Sequence, residues 1–240
     1  MGLNTRGGGG SNKIYLNIYQ GNIVLEYNTE EDLLKRVESL GLDPENIKVR
    51  QRTKGKYEGK DVFYYVLYDV SGLLTNISLT ENDFGEFMEL EFTDVDEKYC
   101  VSLGDVSSRF AKDFIRRMGN LDLTKEIVFG VWNISAEEAD NGKSKSGVRM
   151  YQDDEKVEYF VDYDEMPEPE QKKKGRKTVW DFTEQENYLY DLLLTFKEDN
   201  FVDTEVEDEL PQKEEEESAS KKRTPRAASK EKKDKSDIPF

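Results

Sequence analysis

Histidine is absent, and Cys100 is the one cysteine among 240 residues. Without an imidazole there is no His general base and no Ser–His or Cys–His nucleophile pair. One thiol permits no disulfide within the chain, and a Cys/His zinc site has too few ligands. Long apolar runs are also missing: none approaches the roughly 18 residues of a membrane span. The start, Met1-Gly2-Leu3-Asn4-Thr5-Arg6, lacks the apolar region of a secretory signal and has Arg6 where a myristoylation motif has Ser or Thr. These absences fit a reducing, cytoplasmic setting. Positive charge is in deficit, with 35 Lys and Arg against 52 Asp and Glu, for a net charge of −17. That counts against unregulated adhesion to nucleic acid. It leaves room for a local basic groove, because the Debye length is only about 8 Å at physiological salt.

Aromatic residues are plentiful: 13 Tyr, 12 Phe and 2 Trp, nearly all before Phe201. Their placement predicts a core early in the chain. Charged residues, at 36%, slightly outnumber hydrophobic ones, at 35%, so part of the chain is expected to stay unfolded. The length suits one sizeable domain with tails.

Taken in order, 1–12 is a flexible Gly-rich leader without phosphate-loop spacing. Lys13 to Tyr19 alternates, with Ile14, Leu16 and Ile18 opposed to Tyr15, Asn17 and Tyr19, and a turn at Gln20-Gly21-Asn22 predicts a hairpin with Ile23 to Tyr27. Thr29 caps a helix over Glu30 to Leu40 that Gly41 stops. Strands are expected over Ile47–Arg52, Asp61–Val70, Glu86–Phe92 and Lys98–Leu103, with a minor one near Ile77–Leu79. A helix follows over Val106–Met118, then strands over Glu126–Ile134, Val148–Tyr151 and Lys156–Val161, and a last helix over Trp180–Lys197. From Asp61, three strands, a helix and two strands match the order of an OB-fold. The fold class is therefore mainly β with a few helices: an OB-fold-like Greek-key barrel over 13–163, embellished by the N-terminal hairpin and helix. A linker with a basic run (164–178), a C-terminal helix (179–198) and a disordered charged tail (199–240) complete the chain.

The strongest local signal lies between Lys48 and Lys60. Lys48, Arg50, Arg52, Lys54, Lys56 and Lys60 face a single acid, Glu58, beside Tyr57 and just before the aromatic strand containing Phe63 and Tyr65. Cations that track phosphates beside rings that stack bases hold single strands without reading sequence. Tyr15 and Tyr19, opposite the apolar side of their strand, join the candidate set. Arg109, Lys112, Arg116 and Arg117 give the 106–118 helix a basic face, which solvation alone also explains. The run Lys172-Lys173-Lys174-Gly175-Arg176-Lys177 is either a second phosphate contact or a linker charge block. The carboxylates of Asp153-Asp154-Glu155 and Asp94-Asp96-Glu97 sit in turns, where neighbours diverge. They make a two-metal nuclease the weaker alternative. No metal or cofactor is expected.

The tail carries ten acids between Asp199 and Glu217 against Lys213, then eight Lys or Arg against three acids to the end, and it closes on Asp237-Ile238-Pro239-Phe240. A terminal Phe with its own carboxylate suits a small basic, apolar pocket on another protein. These four residues resemble the C-terminal tip of bacterial single-stranded DNA-binding proteins, and the acidic tail with a terminal Phe is similar to that of phage proteins of like function. The resemblance implies a non-enzymatic OB protein that coats single-stranded DNA during replication, recombination or repair, in the host cytoplasm if phage-encoded. It also implies a tip, Asp237 to Phe240, that recruits a polymerase, primase or helicase. The sequence departs from the bacterial pattern in having Lys230, Lys232, Lys233 and Lys235 before the lone Asp237. A protein–protein adaptor with an OB-like barrel and a docking peptide is the principal alternative.

Overall fold

Strict alternation builds the first strand: Ile14 and Leu16 are buried while Tyr15 between them is 47% exposed. The computed structural model describes residues 13–53, 58–82, 85–95, 97–175 and 177–201, with backbone only at 82 and 174. β1 (Lys13–Tyr19) and β2 (Asn22–Tyr27) form the expected hairpin, and α1 (Glu30–Ser39) follows. The Thr29 hydroxyl caps α1 by accepting from Asp32 N–H at 3.2 Å, and Leu33 and Val37 bury its inner face against β2 and β4. β3 (Lys48–Gln51), β4 (Asp61–Leu67), β5 (Asp69–Asn82), β6 (Gly85–Asp94) and β7 (Glu97–Asp105) come next. Then follow α2 (Arg109–Met118), β8 (Ile127–Ile134), β9 (Lys145–Gln152) and the two-residue β10 (Glu155–Lys156).

These ten strands make one mixed sheet in the order β10-β9-β8-β5-β6-β7-β1-β2-β4-β3. β1 runs parallel to β7, and the other pairings are antiparallel. The sheet is mainly β architecture as expected, but it is not closed: β10 and β3 are its two edges. The barrel was expected to stand apart from the N-terminal hairpin. Instead β1 pairs with β7 along Lys13–Leu16, so the hairpin extends the sheet rather than packing on it.

The segment read as a minor strand near Ile77 is the middle of β5, which runs for 14 residues. Its first four residues pair with β8, and Leu73 to Asn82 pair with β6. The change of partner falls at Gly72, where φ is +153° and an added Cβ would lie 2.8 Å from Thr93 O. A glycine is needed for that close approach. The sheet also curls until the β1–β2 turn meets β8. Gly21, at φ +74°, leaves space that a Cβ would take from Asn133.

Ala111, Phe114, Ile115 and Met118 of α2 enter a core with Phe92, Phe129, Leu90, Val131 and Met150. The helix starts three residues later than its apolar spacing suggested. Ser108 sets the start, accepting from Ala111 N–H at 3.1 Å and donating to Leu103 O at 2.8 Å. The expected strand Lys156–Val161 shrinks to β10. Beyond it the backbone turns to α2, where Phe160 and Val161 N–H both donate to Arg116 O. β11 (Glu170–Lys174) and β12 (Lys177–Asp181) form a separate two-stranded sheet inside what had been read as linker and helix start. α3 (Thr183–Asn200) follows and packs on α2, burying Leu189 and Leu193.

Candidate functional site

Strand register decides which candidates share a surface. Tyr19 faces Asn22 across β1–β2, Glu26 faces Tyr64 across β2–β4, and Tyr64 faces Lys48 across β4–β3. With period two, Tyr15, Tyr19, Glu26, Tyr64, Lys48 and Arg50 therefore lie on the outer face of this end of the sheet. Phe63 and Tyr65 lie on the opposite face. Tyr65 is 8% exposed and Phe63 packs against the core, which corrects their assignment as stacking rings. The outward ring of that strand is Tyr64, which the sequence reading passed over. Phe63-Tyr64-Tyr65 is aromatic at every position, so periodicity within β4 gave no face. Pairing gives it: Tyr64 is in register with exposed Lys48 of β3 and meets Tyr19 of β1, while Tyr65 is buried.

Arg50 organises the patch. Its Nη2 donates to Glu26 Oε1 at 2.6 Å, with the Glu26 side chain 6% exposed. Its guanidinium lies 4.2 Å from the centroid of Tyr19, and Tyr64 meets Tyr19 edge-on with centroids 5.4 Å apart. The Nε of Arg50 is buried with no hydrogen-bond partner. Arg50 was expected to be a free phosphate contact. Its charge is instead largely offset by Glu26, and its geometric effect is to hold the Tyr19 ring in one orientation. Lys48 and Lys60 are exposed. Arg52 donates to Asn28 Oδ1 at 3.4 Å, and its backbone continues the β3–β4 hairpin through bonds to Gly59 and Lys60. Lys54, Lys56 and Tyr57 lie outside the described residues, as do Asp237, Ile238, Pro239 and Phe240 of the tip.

Toward β6 the same outer face turns acidic. Lys13 is ion-paired to Glu91, and Glu89 accepts from the Cys100 thiol at 3.3 Å. Burial, then the neighbouring Glu89 charge, push that thiol well above its ordinary pKa. Cys100 is therefore held as the neutral thiol, a poor nucleophile. The basic and aromatic region ends at β1.

The basic face expected on α2 divides. Arg109 donates to Ser144 O at 2.8 Å, and Lys112 pairs with Glu186 at 2.7 Å. Arg116 and Arg117 are buried, 4% and 5% exposed, which corrects their reading as an outer face. Arg117 donates to Val157 O at 2.6 Å and lies 3.7 Å from Asp113; Arg116 donates to Val161 O at 3.1 Å. Both guanidinium groups stack on Tyr159, and Arg116 also on Tyr163. Beside them opens a cleft of about 480 Å³ lined by Arg109, Lys112, Trp132 and Lys145 among others. Among the described residues no group of three or more Cys, Asp or Glu is placed to hold a metal ion.

The chain gives no match to any protein-family model, to any curated protein or to any solved structure.

Proposed function

We propose that this chain binds single-stranded DNA with little sequence preference, through the outer face of β1, β2, β4 and β3. The observation that carries the reading is the half-buried Arg50–Tyr19–Tyr64 stack, with exposed Tyr15 and Lys48 on the same sheet face, in a chain of net charge −17. Rings held at fixed orientation beside cations supply sequence-tolerant stacking and phosphate attraction together. The strand arrangement supports an OB-like barrel as the scaffold. The strand order β9-β8-β5-β6-β7, with the long β5 shared between β6 and β8 and α2 between β7 and β8, is compatible with an OB-like scaffold, in an open sheet where β7 pairs with β1. In this reading the protein is not an enzyme. It coats exposed single strands in the cytoplasm during replication, recombination or repair, and the tip Asp237–Phe240 recruits a polymerase, primase or helicase. Among the described residues no helix is long and apolar enough to cross a membrane.

The test is a titration of the full chain with labelled oligo(dT) and with duplex across a salt series. Tight, salt-dependent binding to the single strand and much weaker binding to duplex is expected. Replacing Tyr19 and Tyr64 by Ala should each weaken binding, since one stacked ring contributes roughly 1–3 kcal/mol. Removing Lys48 should flatten the log–log salt slope by about 0.7. Absence of salt-dependent binding would leave the adaptor reading in its place.

A further inference from the structure

The basic run that the sequence left between a phosphate contact and a charge block is folded into the β11–β12 hairpin. Its register sets Gln171 against Trp180, Lys172 against Val179 and Lys173 against Thr178. One face therefore carries Trp180, Thr178, Gln171 and Lys173, and the other carries Lys172, Val179, Glu170 and Asp181. Both acids of the hairpin are engaged on that second face. Lys172 Nζ lies 2.5 Å from Asp181 and 3.6 Å from Glu170. The Trp180 face has a cation and no acid. Its indole is 57% exposed, and Val179 and Phe182 beside it are 40% and 46% exposed. The hairpin is a sheet of its own, and a two-stranded hairpin is marginal in water without a surface to pack on. A tryptophan left more than half in water contributes little to that stability.

We propose that this hairpin is an arm that clamps single-stranded nucleic acid. A base stacks on Trp180, and a phosphate meets Lys173 beside it on the same face. The inference rests on the single-strand reading above and adds a second contact to it, on a sheet separate from the Arg50 face. Charge selects an anionic occupant, and the exposed indole selects one that also carries flat rings, which single-stranded nucleic acid supplies and the carboxylates of a second acidic copy do not.

Trp132 and Trp180 are the two tryptophans of the chain, so fluorescence tests the arm directly. The full-length protein, Trp132→Phe and Trp180→Phe are titrated with poly(dT), while anisotropy of a labelled oligo(dT) follows binding independently. Strong quenching is expected in Trp132→Phe and its loss in Trp180→Phe. Trp180→Ala should weaken oligo(dT) binding at least about fivefold. Lys173→Ala should lower the magnitude of the salt slope by about 0.7. None of these exposed positions should move the urea midpoint. If Trp132→Phe misfolds, wild type against Trp180→Phe gives the same comparison. Oligo(dT) binding with unquenched Trp180 and an unchanged slope overturns the arm and leaves the single-strand reading standing. Lost binding in hairpin variants with full binding in Tyr19 and Tyr64 variants keeps the arm and removes the sheet face. No binding by wild type overturns both.

Discussion

Among the described residues arginine stacks on tyrosine in two places, and the two clusters differ in what surrounds the guanidinium. At Arg50 the stack lies on an outer sheet face, one carboxylate balances the charge, and the Arg50 side chain is 24% exposed. At Arg116 and Arg117 the guanidinium groups are buried between α2 and the chain from Val157 to Tyr163, with backbone carbonyls as acceptors, while Tyr163 over Arg116 is itself 69% exposed at the rim of the cleft. Asp113 joins that second network three times. It accepts from Val148 N–H at 2.8 Å and from the Tyr159 hydroxyl at 2.7 Å, and it lies 3.7 Å from Arg117. The same pair of residue types thus presents a surface in one place and replaces absent secondary structure in the other. Residues 157–161 form no strand, and the arginines bind their carbonyls instead. Under the proposed function, accessibility and not residue identity is what distinguishes the Arg50 cluster from the Arg116–Arg117 cluster.

The sharpest way to break that contrast is Asp113→Ala. It leaves Arg117 buried without a carboxylate, and breaking such a pair costs about 3–5 kcal/mol. Urea unfolding should show that loss, while oligo(dT) affinity measured well below the midpoint should stay within about twofold. A stable Asp113→Ala protein that no longer binds DNA would reverse the roles assigned to the two clusters.

Next in size is the Arg50–Glu26 pair. Arg50→Ala strands the buried Glu26 carboxylate and should cost about 1–3 kcal/mol of stability. It also frees the Tyr19 ring, so oligo(dT) binding should weaken. Adding Glu26→Gln should return most of the stability and none of the binding. If the double variant recovers both, Arg50 acts only as the partner of Glu26 and the ring needs no holding.

How much of this could be read from the chain depends on where information is local. The hairpin, the cap at Thr29 and the apolar stripe of α2 follow from neighbouring residues, and the structure has them close to where spacing put them, while the Ser108 cap that moves the start of α2 was not read. The parallel pairing of Lys13–Leu16 with Lys98–Val101 joins segments 85 residues apart, and no alternation within either strand encodes it. Tyr64 was missed for a related reason, since an all-aromatic strand takes its orientation from its partners. The burial of Arg116 and Arg117 was invisible because what covers them is an irregular segment 40 to 45 residues away. Local basicity located the Lys48–Lys60 hairpin, but only tertiary contact with Glu26 distinguishes a ring-holding Arg50 from a phosphate contact.

A smaller effect is expected from the exposed pair on the same helix. Lys112 and Glu186, 2.7 Å apart, are 30% and 42% exposed. Lys112→Ala should cost only about 0.2–1 kcal/mol, and less in high salt. A cost comparable to that of Asp113→Ala would mean that the docking of α3 on α2, and not the buried arginines, holds this side of the fold.

The finest distinction comes from Tyr159, which touches both buried arginines. Burial, then its hydrogen bond to Asp113 and the charge on that carboxylate, raise the phenol above the ordinary tyrosine value of about 10, and Arg117 opposes them. A group whose pKa is raised on folding binds its proton more tightly in the folded state. Its contribution is therefore complete below the unfolded value and is lost as pH rises through the folded one. Tyr159→Phe should cost on the order of 1 kcal/mol at neutral pH for the lost hydrogen bond. The gap between wild type and variant should stay constant to about pH 10 and narrow above it. Urea midpoints taken from pH 7 to pH 11 for the two proteins measure the gap. A gap that widens above pH 10 would mean that Arg117 stabilises the phenolate more than Asp113 and burial destabilise it. The cluster would then be governed by the arginine charges rather than by Asp113 and burial, and the contrast between the two would lose its electrostatic basis.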